Sequence, residues 1–495
     1  MKDGLMTLEN RLKDKSLLKT ESFIDGKWAG GETTFDVTCP SDRSLVAKVA
    51  DVGEAGARTA VDAAARAFET WKKTSVYERA RLVQRWHDLI LENVADLGTI
   101  ITAEMGKPLA ESRGEVAYGA GFVSWSAEEA KRIHGETLAT PFPGSRGWTI
   151  HQPIGVVACI TPWNFPSAMI TRKCAPAIAA GCTVVCKPAP ETPLSALALA
   201  ELARRAGIPA GVFNVVCGAA DKIGPVLTGS DAVRMVGFTG STAVGKLLMR
   251  QAADGVKRVA LELGGNAPFL IMDDADIDAA ADGVIASKFR AAGQTCVSAN
   301  RIIAHAPIAD KLIAAIKSRM EKLKVGAGFE DGVNFGPLIH DAAVARVDEL
   351  VKDAKARGAT VHLGGTSLAD ELGGAFYAPT LIEGGEDFEL ALFRNEIFGP
   401  VASVYRAKDE AEMIRLANDT PYGLAAYVYT RDVNRVHRLS EGLDFGMIGI
   451  NAPMVGSPAT PFGGVKESGI GREGGKWGVE EFTELKFVLL GGVDQ

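Results

Sequence analysis

The chain has 495 residues, 47% of them hydrophobic and 23% charged. That composition is ordinary for a folded soluble protein, and the length exceeds what one hydrophobic core usually serves, so two or three domains are expected. A net charge of −7 gives no support to nucleic-acid binding, and no apolar run approaches the ~20 residues that a bilayer span needs.

Met1–Lys19 is charged and lacks the apolar centre of a secretory signal. The seven cysteines form no CxxC pair and mostly sit among apolar neighbours, which reads as reduced thiols in a cytoplasmic protein. Residues 54–73 and 77–104 carry helical periodicity, with Leu82, Val83, Trp86, Leu89 and Ile90 recurring at three- and four-residue spacing. From Ile154 the texture changes. Short apolar runs at 154–160, 182–186, 212–217, 234–238 and 259–263 alternate with helical segments such as 192–206. Runs that are apolar throughout suit strands buried on both faces, hence parallel-type sheets covered by helices. A second series has strand candidates at 268–272, 301–305, 379–383, 401–405 and 425–430. The fold class is α/β.

Two glycine-rich stretches invite other readings. Gly240-Ser-Thr-Ala-Val-Gly245-Lys246 nearly spells a phosphate loop, and Asp273-Asp274 ends a strand that could be its acidic partner. Position 247 is Leu, however, so the hydroxyl that holds magnesium in a P-loop NTPase is missing. The same glycines fit a strand-to-helix turn whose backbone approaches a pyrophosphate, with Ser241 as hydroxyl donor. Gly469-Ile-Gly471-Arg-Glu-Gly474 matches a dinucleotide fingerprint, but it follows no strand and reads as a turn.

Leu261-Glu262-Leu263-Gly264-Gly265-Asn266 and Gly293-Gln294-Thr295-Cys296 supply a carboxylate and a thiol 34 positions apart. A nucleophilic sulfur with a general base is the equipment for attacking a carbonyl and then activating water. With Pro162-Trp163-Asn164-Phe165-Pro166 before them and Glu396-Ile397-Phe398-Gly399-Pro400 after, the set resembles the NAD(P)-dependent aldehyde dehydrogenases over nearly the whole chain.

The resemblance implies Cys296 as nucleophile, Asn164 as oxyanion donor and Glu262 as the base that hydrolyses a thioester. It implies cofactor contacts from Trp163, Lys187, Gly240, Ser241, Gly245, Glu396 and Phe398, and assigns no residue to a metal. It also implies a dinucleotide-binding domain over 1–130 and 153–264 and a catalytic domain over 265–480. Segments 131–152 and 481–495 would form a β-extension joining a homodimer or homotetramer. Where NAD-preferring members often place Glu three residues after Lys187, this chain has Pro190, so both NAD and NADP are expected.

Segments 261–276, 287–301 and 461–474 resemble the succinate-semialdehyde dehydrogenases in particular. Arg172 and Arg290 match arginines that grip the substrate carboxylate there, and charge-assisted pairs suit such recognition. The branch's carboxylate-binding Ser falls on Gly456, with Ser457 adjacent. Succinate semialdehyde is the first expectation; glutarate semialdehyde or 3-sulfolactaldehyde is the alternative. Rivals from other classes are the NTPase and a silenced structural paralogue, though the latter would be expected to have lost Cys296, Glu262 or Asn164.

Overall fold

The structure is a computed structural model that describes residues 7–493. The first six positions of the segment 1–130 and the last two of 481–495 lie outside the described residues.

Strands and helices alternate from Val156: strands Val156–Ile160, Thr183–Lys187, Phe213–Val215, Val233–Thr239 and Arg258–Glu262 are joined through helices Ala168–Ala180, Pro193–Arg205, Ala220–Gly229 and Thr242–Ala253. The five strands are mutually parallel and form the centre of an eight-stranded sheet. They are largely buried on both faces, as apolar runs require, except for Arg234 and the half-exposed start of Arg258–Glu262. Ile160 pairs with Lys187 and with Phe238, and Thr239 with Glu262, so these residues mark one carboxyl edge.

The second sheet has seven strands in the order Thr360–Leu363, Thr380–Gly385, Val401–Ala407, Ala299–His305, Ala267–Ile271, Ala425–Tyr429 and Met447–Ile450. All but the first pair are parallel. Apolar side chains gather into separate cores, one around Trp86, Val184 and Leu197 and another around Phe269, Ile302 and Tyr405.

Three features differ from the expectations. The helical stretch 77–104 is two helices, Val76–Glu92 and Val94–Met105, because Asn93 leaves helical geometry and turns its amide back onto the Leu89 carbonyl, 2.8 Å away. The first sheet is not parallel throughout: the hairpin Ser22–Ile24 and Lys27–Ala29 closes one edge in antiparallel fashion. Gly469–Ile470, read as a turn, is a short strand antiparallel to Leu261–Glu262 at the other edge. A Cβ at Gly469 would lie 2.0 Å from the Leu261 carbonyl oxygen, so only glycine allows that pairing. The region after residue 265 thereby lends a strand to the first sheet.

Thr483–Gly491 pairs antiparallel with Ser145–Pro153 over nine residues, and Thr137–Leu138 completes this three-stranded sheet. Among the described residues no helix is long and apolar enough to cross a membrane.

Candidate active site

Strand Arg258–Glu262 belongs to the first sheet and Ala267–Ile271 to the second, so four residues, Leu263-Gly264-Gly265-Asn266, carry the chain between them. That short crossing sets the carboxyl edge of one sheet against the amino edge of the other. A Cβ on Gly265 would lie 2.2 Å from the Cys296 carbonyl oxygen, and one on Gly264 would lie 2.9 Å from Glu396 Oε2. The glycines allow the crossing to lie directly under the thiol segment. Asn266 anchors it by donating to the Phe393 carbonyl and accepting from Asn300 Nδ2 at 2.6 Å.

Cys296 follows an abrupt turn. Ala291, Ala292 and Gly293 all have left-handed backbones, with φ of 49°, 53° and 77°. For alanine that conformation costs on the order of 1–2 kcal/mol per residue, so neighbouring groups must hold it. Glu111 Oε1 accepts from the Ala291 amide at 2.6 Å. Gln294 Nε2 donates to the Ala291 carbonyl at 3.0 Å, its Oε1 accepts from the Ile339 amide at 2.9 Å, and Asn164 Nδ2 donates to the Gln294 carbonyl at 2.9 Å.

The thiol opens onto a cavity of about 460 Å³ at the junction of the sheets, lined also by Trp163, Asn164, Gly240, Ser241, Arg290, Glu396 and Phe398. Asn164 Oδ1 and the hydroxyls of Thr239 and Thr295 are buried without protein partners, and all three residues line the cavity. Unpaired buried polar atoms around a cavity are what a polar ligand satisfies. Trp163 and Phe398 meet edge to face with centroids 5.5 Å apart. Glu396 accepts from the Gly265 amide at 2.9 Å, and burial pushes its carboxyl up to about 7. Burial likewise pushes the Cys296 thiol up to about 12, against the pull of Arg172, so the resting sulfur is protonated.

Ser241 caps helix Thr242–Ala253, accepting from the Val244 amide at 3.4 Å, and turns that helix's amino end toward the cavity. A Cβ at Gly245 would lie 2.3 Å from Leu263 Cδ2, so this glycine seats the helix on the crossing and does not itself line the cavity. Lys246 forms an ion pair with Glu467 at 2.7 Å, which commits the lysine of the phosphate-loop look-alike elsewhere. A helix amino end, free hydroxyls and a half-bonded carboxylate together fit a dinucleotide's phosphates and ribose hydroxyls.

Several expected residues sit away from the cavity surface. Lys187 ends its strand buried, with Nζ donating to the Pro188 carbonyl at 3.1 Å. The hydroxyl of Ser457 is engaged with Thr460 Oγ1 at 3.2 Å and with the Ala459 amide, inside its own turn. Glu262 lies behind the wall, 3% exposed, with Oε2 unpartnered. Burial first, and then Glu473, holds its carboxyl well above the ordinary range.

The two arginines differ. Arg172 lines the cavity from helix Ala168–Ala180, all of whose residues are buried, and forms a close ion pair with Glu473, whose other oxygen meets Lys173 Nζ at 2.5 Å. Two buried cations on one helix require such a counter-charge. Arg290 has no carboxylate within ion-pair distance among the described residues; its guanidinium lies 5.1 Å from the Phe165 ring centroid and faces the cavity.

Glu473, Lys173, Gln294 and Glu111 were not foreseen. Glu473 stands inside the stretch read as a turn, and Lys173 directly follows a residue that was singled out. Lys173 alone carried a signal, a charge within the largely apolar segment 168–180; Gln294 lies within the thiol motif, and nothing local marks Glu111 or Glu473.

A thiol, an amide and a guanidinium face one cavity where two α/β sheets abut, an arrangement with the chemistry to attack a carbonyl through sulfur. The aldehyde dehydrogenase family model matches residues 28–488, and the chain belongs to that family. Among curated relatives, the 3-sulfolactaldehyde dehydrogenase of Pseudomonas putida is 51% identical, covering 98% of this chain and 99% of its own. The glutarate-semialdehyde dehydrogenase of Pseudomonas aeruginosa is 49% identical (98% and 100%), and the NADP(+) succinate-semialdehyde dehydrogenase GabD of Escherichia coli is 48% identical (97% and 100%). A solved betaine aldehyde dehydrogenase from Staphylococcus aureus in complex with NAD+ superposes with a TM-score of 0.93 at 35% identity, covering 97% of this chain and 95% of that one.

Proposed function

We propose that this enzyme oxidises a small aldehyde bearing a distal anionic group to its acid, using NAD+ or NADP+. The observation that carries the reading is the presence, within one cavity, of the Cys296 thiol and the Arg290 guanidinium, which has no carboxylate partner among the described residues and donates only to Met454 Sδ at 3.6 Å. Names of relatives that act on succinate semialdehyde, glutarate semialdehyde and 3-sulfolactaldehyde support the anionic class.

Cys296 gives its proton to solvent water in the cavity and its sulfur bonds to the aldehyde carbon as the carbonyl π bond breaks, giving a thiohemiacetal whose oxygen carries the negative charge. Asn164 Nδ2 and the Cys296 backbone amide stabilise that oxygen; one such donor typically contributes on the order of 10²–10³ in rate. A bound nicotinamide would supply a hydride acceptor, so that this carbon could lose its hydrogen with the C–H electron pair and become a thioester. Ser241 and the amino end of its helix would hold the phosphates, Glu396 a ribose, and Trp163 and Phe398 the ring end. Glu262 then rotates toward the acyl carbon, takes a proton from water and lets hydroxide displace the sulfur. Arg290 binds the substrate anion directly. Arg172, neutralised by Glu473, contributes field more than contact. Self-association through the three-stranded sheet completes the reading.

The test is a panel of anionic and neutral aldehydes followed at 340 nm with NAD+ and with NADP+. Anionic aldehydes should exceed neutral ones of equal length by at least tenfold in kcat/KM. Equal performance would remove Arg290 as substrate clamp, and aldehyde oxidation retained in Cys296→Ala would remove the covalent route.

A further inference from the structure

Arg290 stands at a boundary. A second, smaller cavity of about 40 Å³ adjoins the main one and shares Tyr118, Arg290, Val297 and Phe462 with it. Its remaining walls include Ser287, Met454 and Gly456. Gly456 has no positive φ, so its backbone does not call for glycine. What the position excludes is a side chain: a Cβ there would lie 2.9 Å from Tyr118 Oη and 3.3 Å from Phe462 Cδ2. The surrounding loop cannot easily retreat, because Gly121 on helix Leu109–Ala130 already brings Pro458 to within 2.9 Å of where its own Cβ would be. Tyr118 is braced edge to face against Phe122, with centroids 5.1 Å apart. Whether an added methyl filled the space or displaced the tyrosine, the room lost would come from the passage beyond Arg290.

We infer that Gly456 is a specificity-determining residue that keeps this passage open for anions larger than the carboxylate of succinate semialdehyde. The anionic head either stands one methylene further from the carbonyl or has three oxygens in place of two, and it rests past Arg290 in the second cavity. This rests on the functional reading above and adds its substrate class. A pocket wall that gains one carbon discriminates by about 10–200-fold, which is enough to measure.

The experiment compares kcat/KM for succinate semialdehyde, glutarate semialdehyde and 3-sulfolactaldehyde in the wild type, Gly456→Ala, Tyr118→Phe and the double variant. The first probe is the small reference, the second tests length and the third tests head-group size. The wild type should favour at least one larger anion. Gly456→Ala should lower the larger-to-smaller ratio at least tenfold, and adding Tyr118→Phe, which removes the oxygen that the new methyl would meet, should restore most of it. Should Gly456→Ala fail to fold, Tyr118→Phe alone adds room and should move the ratio in the opposite direction. A ratio unchanged within threefold in the folded variants would overturn the inference while leaving the enzyme class standing. A wild type inactive on all three anions would instead overturn the functional reading.

Discussion

Cys296 and Glu262 are both held in their protonated forms at rest, and in each case burial is the largest cause. Chemistry requires both protons to leave, so activity should rise with pH. The sign is the same for either group: a raised pKa means that the reactive, deprotonated form gains population only as pH climbs. Steady-state kcat should therefore still increase past the range where an ordinary carboxylate of pKa ~4.3 has finished titrating. A kcat flat from pH 5.5 to 9 would remove Glu262 as the titrating base. In Glu262→Gln the first turnover should proceed as a burst of reduced cofactor, followed by turnover slowed at least a hundredfold; stopped-flow absorbance at 340 nm separates the phases. Asn164→Ala should lower the burst rate itself, by about 10²–10³. Cys296 and Asn164, each in a short motif with its own chemistry, both line the cavity, whereas Glu262 lies behind its wall. Glu473 was not legible in the sequence, because it reaches Arg172 and Lys173 across 300 positions of chain, and nothing local distinguishes a buried counter-charge from a surface Glu.

At the scale of elements, glycines fix how the parts approach one another. Gly265→Ala would drive a methyl into the carbonyl of Cys296, 2.2 Å away. Backbone must move, and a displacement near 1 Å at the nucleophile costs about 10²-fold in kcat, with roughly 1–3 kcal/mol of stability. Gly114→Ala is the counterpart: this glycine lies exposed in helix Leu109–Ala130 with nothing within 4 Å of a new Cβ. That variant should gain about 1 kcal/mol in urea unfolding with kcat unaltered. The ten strands anticipated from apolar runs are present within two residues at each end, because parallel strands buried on both faces announce themselves by composition. The pieces that escaped notice are Met447–Ile450, a four-residue apolar strand at the edge of the second sheet, and elements without such a signature. Gly469–Ile470 has only two residues, and the break at Asn93 depends on one amide bonding backward within an otherwise continuous apolar period.

For the whole molecule, the telling surface is strand Thr483–Gly491. It occupies an edge of the three-stranded sheet, and Leu485, Phe487 and Leu489 alternate along one face of it. Leu485 is 63% and Phe487 56% exposed, and Leu490 and Phe142 add to the apolar area. A long, apolar, unpaired edge invites pairing with another chain, and proteins that remain monomeric usually blunt such edges with charge or proline. Here Glu484 and Lys486 are the only charges on the strand. Its sequence alone did not mark it as an interface; the family resemblance suggested the role, and the exposure now supplies a physical reason. The wild type should sediment as a dimer or tetramer at micromolar concentration, with a melting temperature that rises with protein concentration because association stabilises the folded state. Replacing Leu485 and Phe487 together by lysine should yield monomers and abolish that concentration dependence. Cys296 should remain alkylatable by iodoacetamide in the variant, since the thiol's cavity is lined by other elements. A wild type that sediments as a monomer throughout would show that this edge is not a self-association surface.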